Sequence, residues 1–263
     1  MKLVIRFVFC LGVLAAGCAH PPTPLESARE AVGVEGPGKI PVVLQSGLGD
    51  GTEAWDVLAP MLRDRYRVVR FDRPGYGGAK ATPGPRDPCT IADETRERLL
   101  AAGIRPPWLL VGHSLGGLYQ YVFARRYPAE VAGLVLLDPT HPRHWETIQQ
   151  EQPSQAAVLK GLRRLVFSET ARREFDDQAG CLDGLDQRKP LSTPARILVS
   201  DRPAPMEDAS FRAMLDRLRR DWLGLLAAPG LTVIWDSGHY IQKEAPGDVV
   251  QAIDALAAGE SAR

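Results

Sequence analysis

Short apolar runs alternate with amphipathic segments through the middle of this chain. Six runs have the length of buried strands, at residues 40–45, 66–71, 108–112, 131–137, 196–200 and 231–235. Apolar residues recur at helical spacing in residues 52–64, 90–102, 118–127, 211–226 and 248–258. Near-continuous apolar strands that alternate with helices are typical of parallel sheets. The pattern therefore predicts an α/β fold whose mostly parallel sheet is covered by helices on both faces.

The pattern changes in residues 142–190, where no strand-like apolar run occurs and aliphatic residues have the spacing of short helices. Because this segment lies between two predicted strands, it is interpreted as a small helical cap over the carboxyl edge of the sheet, where α/β proteins bind ligands. The predicted core then comprises residues 40–141 and 191–263. Trp145 and Phe167 of the cap are candidates for an apolar pocket, although core packing is the commoner fate of aromatic residues.

The first 18 residues have the features of a signal peptide. Lys2 and Arg6 accompany an apolar run, residues 7–16, that is too short to span a bilayer. Residues 14–18, Leu-Ala-Ala-Gly-Cys, resemble the lipobox of bacterial lipoproteins, except that Ala15 stands where that family prefers leucine. The resemblance implies export and acylation of Cys18. Residues 19–39, rich in proline, glycine and charge, are predicted to be a tether.

Ala19, directly after Cys18, resembles lipoproteins that are sorted to the outer membrane of Gram-negative cells. The expected location is therefore the outer membrane facing the periplasm, with membrane contact only through the lipid anchor. An ordinary cleaved signal, which would give a periplasmic or secreted protein, is the alternative.

The composition limits the classes of partner and cofactor that the sequence indicates. The 263 residues include 32 basic and 32 acidic side chains and 44% hydrophobic residues, which favours a globular protein with a sizeable core and indicates no nucleic-acid partner. No spacing of cysteine and histidine indicates a metal site. Outside the signal segment the cysteines are Cys89 and Cys181, which an oxidising compartment would join in a disulfide. Two separate buried thiols are the alternative.

The strongest chemical signal is Gly112-His113-Ser114-Leu115-Gly116, a G-x-S-x-G pattern between a predicted strand and a predicted helix. Glycines on both sides of Ser114 permit the sharp turn that exposes a nucleophilic serine. A serine hydroxyl needs a base and an acid that orients the base, so the remaining chain must supply both.

A second loop follows the first core strand. Ser46-Gly47-Leu48-Gly49-Asp50-Gly51 is rich in glycine, but its spacing matches neither the P-loop nor the dinucleotide-binding fingerprint. It is interpreted as one wall of an oxyanion hole.

Three motifs together resemble the α/β-hydrolase superfamily, over roughly residues 40–258. They are the elbow at Ser114, the turn Asp72-Arg73-Pro74-Gly75-Tyr76-Gly77 after the preceding strand, and Ser237-Gly238-His239 after the last strand. The resemblance implies that Ser114 is the nucleophile and His239 the base, with the backbone N–H groups of Leu48 and Leu115 as oxyanion donors. His141 and His144, at the start of the cap, are candidates for a substrate contact, but a structural role is preferred for them and for His113.

The sequence leaves the acid open between two residues. Many superfamily members carry it a few residues beyond the strand represented here by residues 196–200, where Asp201 is the candidate. Another subset carries it directly after the earlier strand, where Asp138 lies, and Asp138 is preferred because it ends a strand beside the site.

The resemblance implies a serine hydrolase that cleaves a small-molecule carboxylic ester through an acyl-enzyme, without a cofactor or metal. An amidase or aminopeptidase-like activity, an acyltransferase, and a non-catalytic anchored binding protein on the same fold are the alternatives.

Overall fold

The computed structural model describes residues 32–204 and 207–259, which form a sheet of seven strands in the order β1-β3-β2-β4-β5-β6-β7. All neighbouring pairs are parallel except β1 and β3, which are antiparallel. The strands are β1 (Val32–Glu35), β2 (Pro41–Gln45), β3 (Arg67–Phe71), β4 (Trp108–His113), β5 (Val131–Leu137), β6 (Ala195–Ser200) and β7 (Leu231–Ile234).

Helices cover both faces of this sheet. They are α1 (Ala59–Leu62), α2 (Pro88–Ala101), α3 (Leu115–Arg126), α4 (His144–Glu151), α5 (Pro153–Val166), α6 (Glu169–Asp177), α7 (Ala209–Leu225), α8 (Ile241–Glu244) and α9 (Pro246–Ala257). One apolar cluster packs α2, α3 and Trp222 of α7 on one face, and a second packs α1, α8 and α9 on the other. All six residues of β4 are buried, because helices lie on both sides of it. The predicted α/β fold, with a mostly parallel sheet covered by helices on both faces, is confirmed.

The sheet begins earlier than the sequence predicts. Residues 19–39 were assigned to a tether, but Val32–Glu35 forms an edge strand whose Val32 lies opposite Phe71 of β3. Only Val32 of its two valines is buried, so a short, half-exposed strand among glycines gives little periodic signal. Residues 1–31, including the predicted signal peptide and Cys18, lie outside the described residues.

The predicted continuous helix over residues 52–64 is also wrong. The structure divides it into a 3₁₀ turn, Thr52–Trp55, and the single-turn α1. Pro60 lies in the first turn of α1, where its missing N–H is tolerated. A proline there starts a new helix and does not continue the preceding one.

The segment between β5 and β6 contains α4, α5, α6 and a 3₁₀ turn, Leu182–Gly184. The sulfur atoms of Cys89, at the start of α2, and Cys181, after α6, are bonded at 2.12 Å. The cap segment, residues 142–190, is thereby joined covalently to a core helix. Among the described residues, no helix has both the length and the apolar character needed to cross a membrane.

Candidate active site

Ser114 lies at a strained turn between β4 and α3. Its backbone has a φ of 54°, in the left-handed region, and its N–H donates to the carbonyl of Leu137 at 3.0 Å. The flanking glycines are required by close contacts. A Cβ on Gly116 would lie 2.2 Å from the carbonyl oxygen of Gln45, and one on Gly112 would lie 2.5 Å from the carbonyl oxygen of Gly116. The sequence therefore forms this turn only with glycine at both positions.

His239 contacts one of the two candidate acids. Its Nδ1 lies 2.7 Å from Oδ2 of Asp138, which follows β5 with a φ of 43°. The other candidate, Asp201, is joined to α7 through its backbone carbonyl, which accepts a hydrogen bond from Arg212. The structure thus brings Asp138, the preferred residue, to the imidazole.

Asp138 is a stabilised carboxylate. Burial alone would raise its pKa, but the hydrogen bond from His239 and the positive charge of Arg219 hold the pKa well below its ordinary value. Arg219 Nη2 donates to Oδ1 at 2.8 Å, and Ser200 Oγ donates to Oδ2 at 2.9 Å. Nothing in the sequence marks Arg219 as part of the site, because an arginine on a predicted amphipathic helix has the pattern of an exposed residue.

Ser114, Asp138 and His239 line one cavity of about 490 Å³. The His239 side chain is 45% exposed, so its ring faces this open space. One face of α7 supplies the apolar wall, through Phe211, Leu215, Leu218 and Trp222. These four residues are spaced four, three and four positions apart, which places them on one face of a helix. This spacing is the feature of the sequence that could have predicted the apolar wall.

The two cap aromatics proposed for the pocket lie elsewhere. Trp145 and Phe167 pack on Phe175, with ring centroids 4.8 and 5.8 Å apart, and neither lines the cavity. Both aromatic side chains therefore pack within residues 142–190 and not on the cavity wall.

Three further histidines surround the site. His113 is 1% exposed, and its Nε2 lies 2.9 Å from the carbonyl oxygen of His239, to which it donates. Burial lowers the pKa of His113 to about 3, so the ring is neutral. His141 and His144 line the cavity, and burial lowers the pKa of each to about 4. Of the three, His141 and His144, for which the sequence also allows a substrate contact, lie on the cavity wall, and His113 does not.

Residues 46–51, here called the oxyanion loop, lie against Ser114. A Cβ on Gly47 would be 3.1 Å from the Cβ of Ser114. Leu48 follows Gly47, and Leu115 is the first residue of α3, where N–H groups have no partner within the helix. The role of these two N–H groups as oxyanion donors stays a prediction.

The described residues include one group with metal-ligand spacing, Asp87 with Cys89 and Cys181. Its two sulfur atoms are bonded to each other and are not free thiolates. This group is part of the disulfide region and does not line the cavity.

A serine on a strained strand-to-helix turn, at the carboxyl edge of a parallel sheet, defines an α/β-fold hydrolase. The sequence comparison agrees: residues 40–189 match the family described as alpha/beta hydrolase fold. The chain belongs to this family.

Two curated relatives match only a segment of the chain. One is the uncharacterized protein YbdG of Bacillus subtilis, 30% identical over 115 residues, or 43% of this chain and 35% of the relative. The other is the human (lyso)-N-acylphosphatidylethanolamine lipase, 34% identical over 108 residues, or 38% of this chain and 30% of the relative. The match therefore spans about a third of each relative.

Solved structures match most of the chain. An esterase from Thermogutta terrifontis has a TM-score of 0.63 and 24% identity, covering 87% of this chain and 93% of that one. Cfl2 of Burkholderia cenocepacia has a TM-score of 0.61 and 21% identity, covering 86% and 90%. At these identities the likeness establishes the shared fold.

Proposed function

We propose that this protein is a serine hydrolase that cleaves carboxylic esters. The observation that carries the proposal is the 2.7 Å contact between Asp138 and His239 in the cavity that Ser114 also lines. Because Nδ1 of His239 donates to Asp138, its Nε2 is left with the lone pair that a general base needs.

In the proposed reaction, His239 takes the proton of Ser114 Oγ as the oxygen attacks the ester carbonyl. The Leu48 and Leu115 N–H groups stabilise the resulting oxyanion. His239 then protonates the alcohol leaving group, and an acyl-enzyme remains on Ser114. Water, deprotonated by His239, then attacks the acyl carbon; the bond to Ser114 Oγ breaks, His239 returns the proton to that oxygen, and the carboxylic acid leaves. Asp138 stays ionised and stabilises the imidazolium at each step.

The proposed substrates have an apolar acyl group that lies along α7. Phe211, Leu215, Leu218 and Trp222 form a wall on which an alkyl chain can bury surface. The names of two relatives, an esterase and a lipase that acts on an N-acylphosphatidylethanolamine, support an ester with an acyl chain. Other neighbours are named as epoxide hydrolases, whose chemistry uses a carboxylate nucleophile; Ser114 at the elbow favours acyl transfer here.

The test combines turnover with covalent labelling. Hydrolysis of p-nitrophenyl esters of increasing acyl length is measured for the wild type, Ser114→Ala and the control Ser210→Ala, whose serine is exposed on α7. We expect Ser114→Ala to lose nearly all turnover and all labelling by a fluorophosphonate, and Ser210→Ala to keep both. Equal turnover in Ser114→Ala, or a wild type inert to both reagents, would contradict the proposal.

We also propose export and lipid anchoring through Cys18, on the sequence features alone. Metabolic labelling with a tagged fatty acid tests it. Label in the wild type that is absent from Cys18→Ser supports the anchor, and unlabelled, shortened protein supports an ordinary cleaved signal instead.

A further inference from the structure

The turn after β3, which includes Arg73 and Tyr76, is absent from the mechanism above, yet it contacts the oxyanion loop directly. The Arg73 guanidinium is 3% exposed. It donates from Nη1 to the carbonyl oxygen of Ser46 at 2.7 Å and from Nη2 to that of Gly47 at 2.8 Å. A buried arginine thus holds two successive peptide groups of the loop.

A carboxylate from the cap segment fixes this arginine. Glu174 of α6 is fully buried and accepts from Arg73 Nε and Nη2, each at 3.0 Å. It also accepts from the Tyr76 hydroxyl at 2.8 Å. Bidentate pairing of this kind sets the plane of the guanidinium as well as its position.

Tyr76 provides a second contact to the same loop. Its hydroxyl oxygen accepts from the Gly49 N–H at 3.4 Å, while the Arg73 guanidinium lies 4.5 Å over its ring. Arg73 and Tyr76, which both donate to Glu174, therefore hold the loop on both sides of Leu48.

We propose that Arg73 is a positioning residue that orients the Leu48 N–H, and that Glu174 of the cap holds Arg73 in place. The physical reason is the planarity of the peptide group. The Gly47 carbonyl and the Leu48 N–H belong to one trans peptide, so a bond that fixes the oxygen also fixes the direction of the N–H. This inference rests on the proposed function, in which that N–H stabilises the oxyanion.

The experiment compares arginines of one buried cluster. Arg73→Lys keeps the charge but cannot reach both carbonyls in the same geometry. Arg86→Lys is the matched control, because Arg86 is 1% exposed and pairs with Glu174 and Glu94 without contacting the loop. We expect Arg73→Lys to lose about 10²-fold in kcat, comparable to the loss of an oxyanion donor, with KM nearly unchanged. Glu174→Gln should lose an intermediate amount, and Arg86→Lys less than about fivefold.

Two further readouts separate positioning from general destabilisation. A trifluoromethyl ketone, which forms an oxyanion on Ser114, should lose affinity in Arg73→Lys in proportion to kcat/KM, while a non-reacting competitive inhibitor should not. Amide hydrogen exchange of the peptide covering residues 46–51 should be faster in Arg73→Lys than in Arg86→Lys. Equal losses in the two lysine variants, or unchanged exchange in Arg73→Lys, would overturn the inference. If the wild type proves inert to esters, the exchange comparison still tests the positioning by itself.

Discussion

At the residue scale, the site depends on a carboxylate held by neighbours from three elements. Asp138 follows β5, and it accepts hydrogen bonds from Ser200 at the end of β6, Arg219 on α7 and His239 after β7. These donors keep the carboxylate charged inside the protein, where an unpaired charge would be costly. The charge in turn selects the His239 tautomer that leaves Nε2 without a proton.

Replacing this carboxylate tests the assignment of the acid. Asp138→Asn should lower kcat by about 10³–10⁴-fold, because an amide favours the wrong tautomer of His239. The matched control is Asp201→Asn, the other acid that the sequence allows, which should stay near wild-type turnover. A loss confined to Asp201→Asn would transfer the role to Asp201.

His113 makes stability depend on pH. Its folded-state pKa of about 3 lies below the ordinary value of 6.5, so the unfolded chain binds a proton first as the pH falls. The free energy of unfolding should therefore fall as the pH drops below 6.5, and His113 alone should lower it by about 2 kcal/mol at pH 5. Below the folded-state pKa of His113, this residue should cause no further loss of stability. His141 and His144 act in the same direction.

Urea unfolding at pH 7, 6 and 5 measures this dependence. In His113→Asn the fall between pH 7 and 5 should be smaller by about 2 kcal/mol. The same fall in variant and wild type would show that His113 is not the buried neutral group responsible.

Local sequence motifs predict some residues of the site but not others. The structure places Ser114, His239 and Asp138, which local motifs predict as site residues, around one cavity. Arg219 and Glu174 were missed, because their partners Asp138 and Arg73 lie 81 and 101 residues away along the chain. Nothing in the local pattern of a helix marks one charged residue as buried.

At the element scale, the central strands were predicted to within a residue or two, because helices on both faces make them continuously apolar. The sequence pattern does not predict β1 or the break before α1, because a half-exposed edge strand and a single-turn helix contain few periodic positions. The packing of α7 over the cavity could not be predicted either. The periodicity of a helix identifies its apolar face but not the element against which that face packs.

The wall formed by α7 should set the acyl preference. Phe211→Ala lengthens the apolar space, so the optimum should move to longer acyl chains, with kcat/KM rising about fourfold for each added buried CH₂. Trp145→Ala is the matched control: both aromatics pack at the same small cluster, but only Phe211 lines the cavity. A series of p-nitrophenyl esters measures the preferred acyl length of both variants. An equal change of preferred length in Trp145→Ala would contradict the assignment of the wall.

Helix α5 presents apolar residues to solvent. Leu165 is 83% exposed, so Leu165→Ser should change the free energy of unfolding by less than about 0.5 kcal/mol. Ile148 on α4 is 2% exposed, and Ile148→Ala should cost about 2–4 kcal/mol through the cavity it leaves. Urea denaturation compares them; a large loss in Leu165→Ser would mean that this face packs against something in solution.

At the scale of the whole molecule, a buried ion pair and a disulfide are among the contacts that join the cap segment to the core. Glu174 pairs with Arg73, and Cys181 is bonded to Cys89 across a sequence separation of 92 residues. The fold class followed from the alternation of strands and helices, but the angle of the cap depends on these long-range contacts. No pattern within residues 142–190 contains that information.

Reduction should destabilise the protein. A cross-link that closes so long a loop restricts the unfolded chain, and its loss should lower the free energy of unfolding by about 2–5 kcal/mol. Urea unfolding with and without dithiothreitol measures the loss. The Cys89→Ala/Cys181→Ala variant should match the reduced protein and be insensitive to the reagent; a reagent effect in that variant would point to another cause.

The antiparallel direction of β1 has a practical consequence for handling the protein. Because Val32 lies opposite Phe71, at the carboxyl end of β3, the chain enters the sheet at the same edge that carries Ser114. A purification handle joined directly to residue 32 would therefore leave from the end of the strands that carries Ser114, at the edge strand farthest from β7.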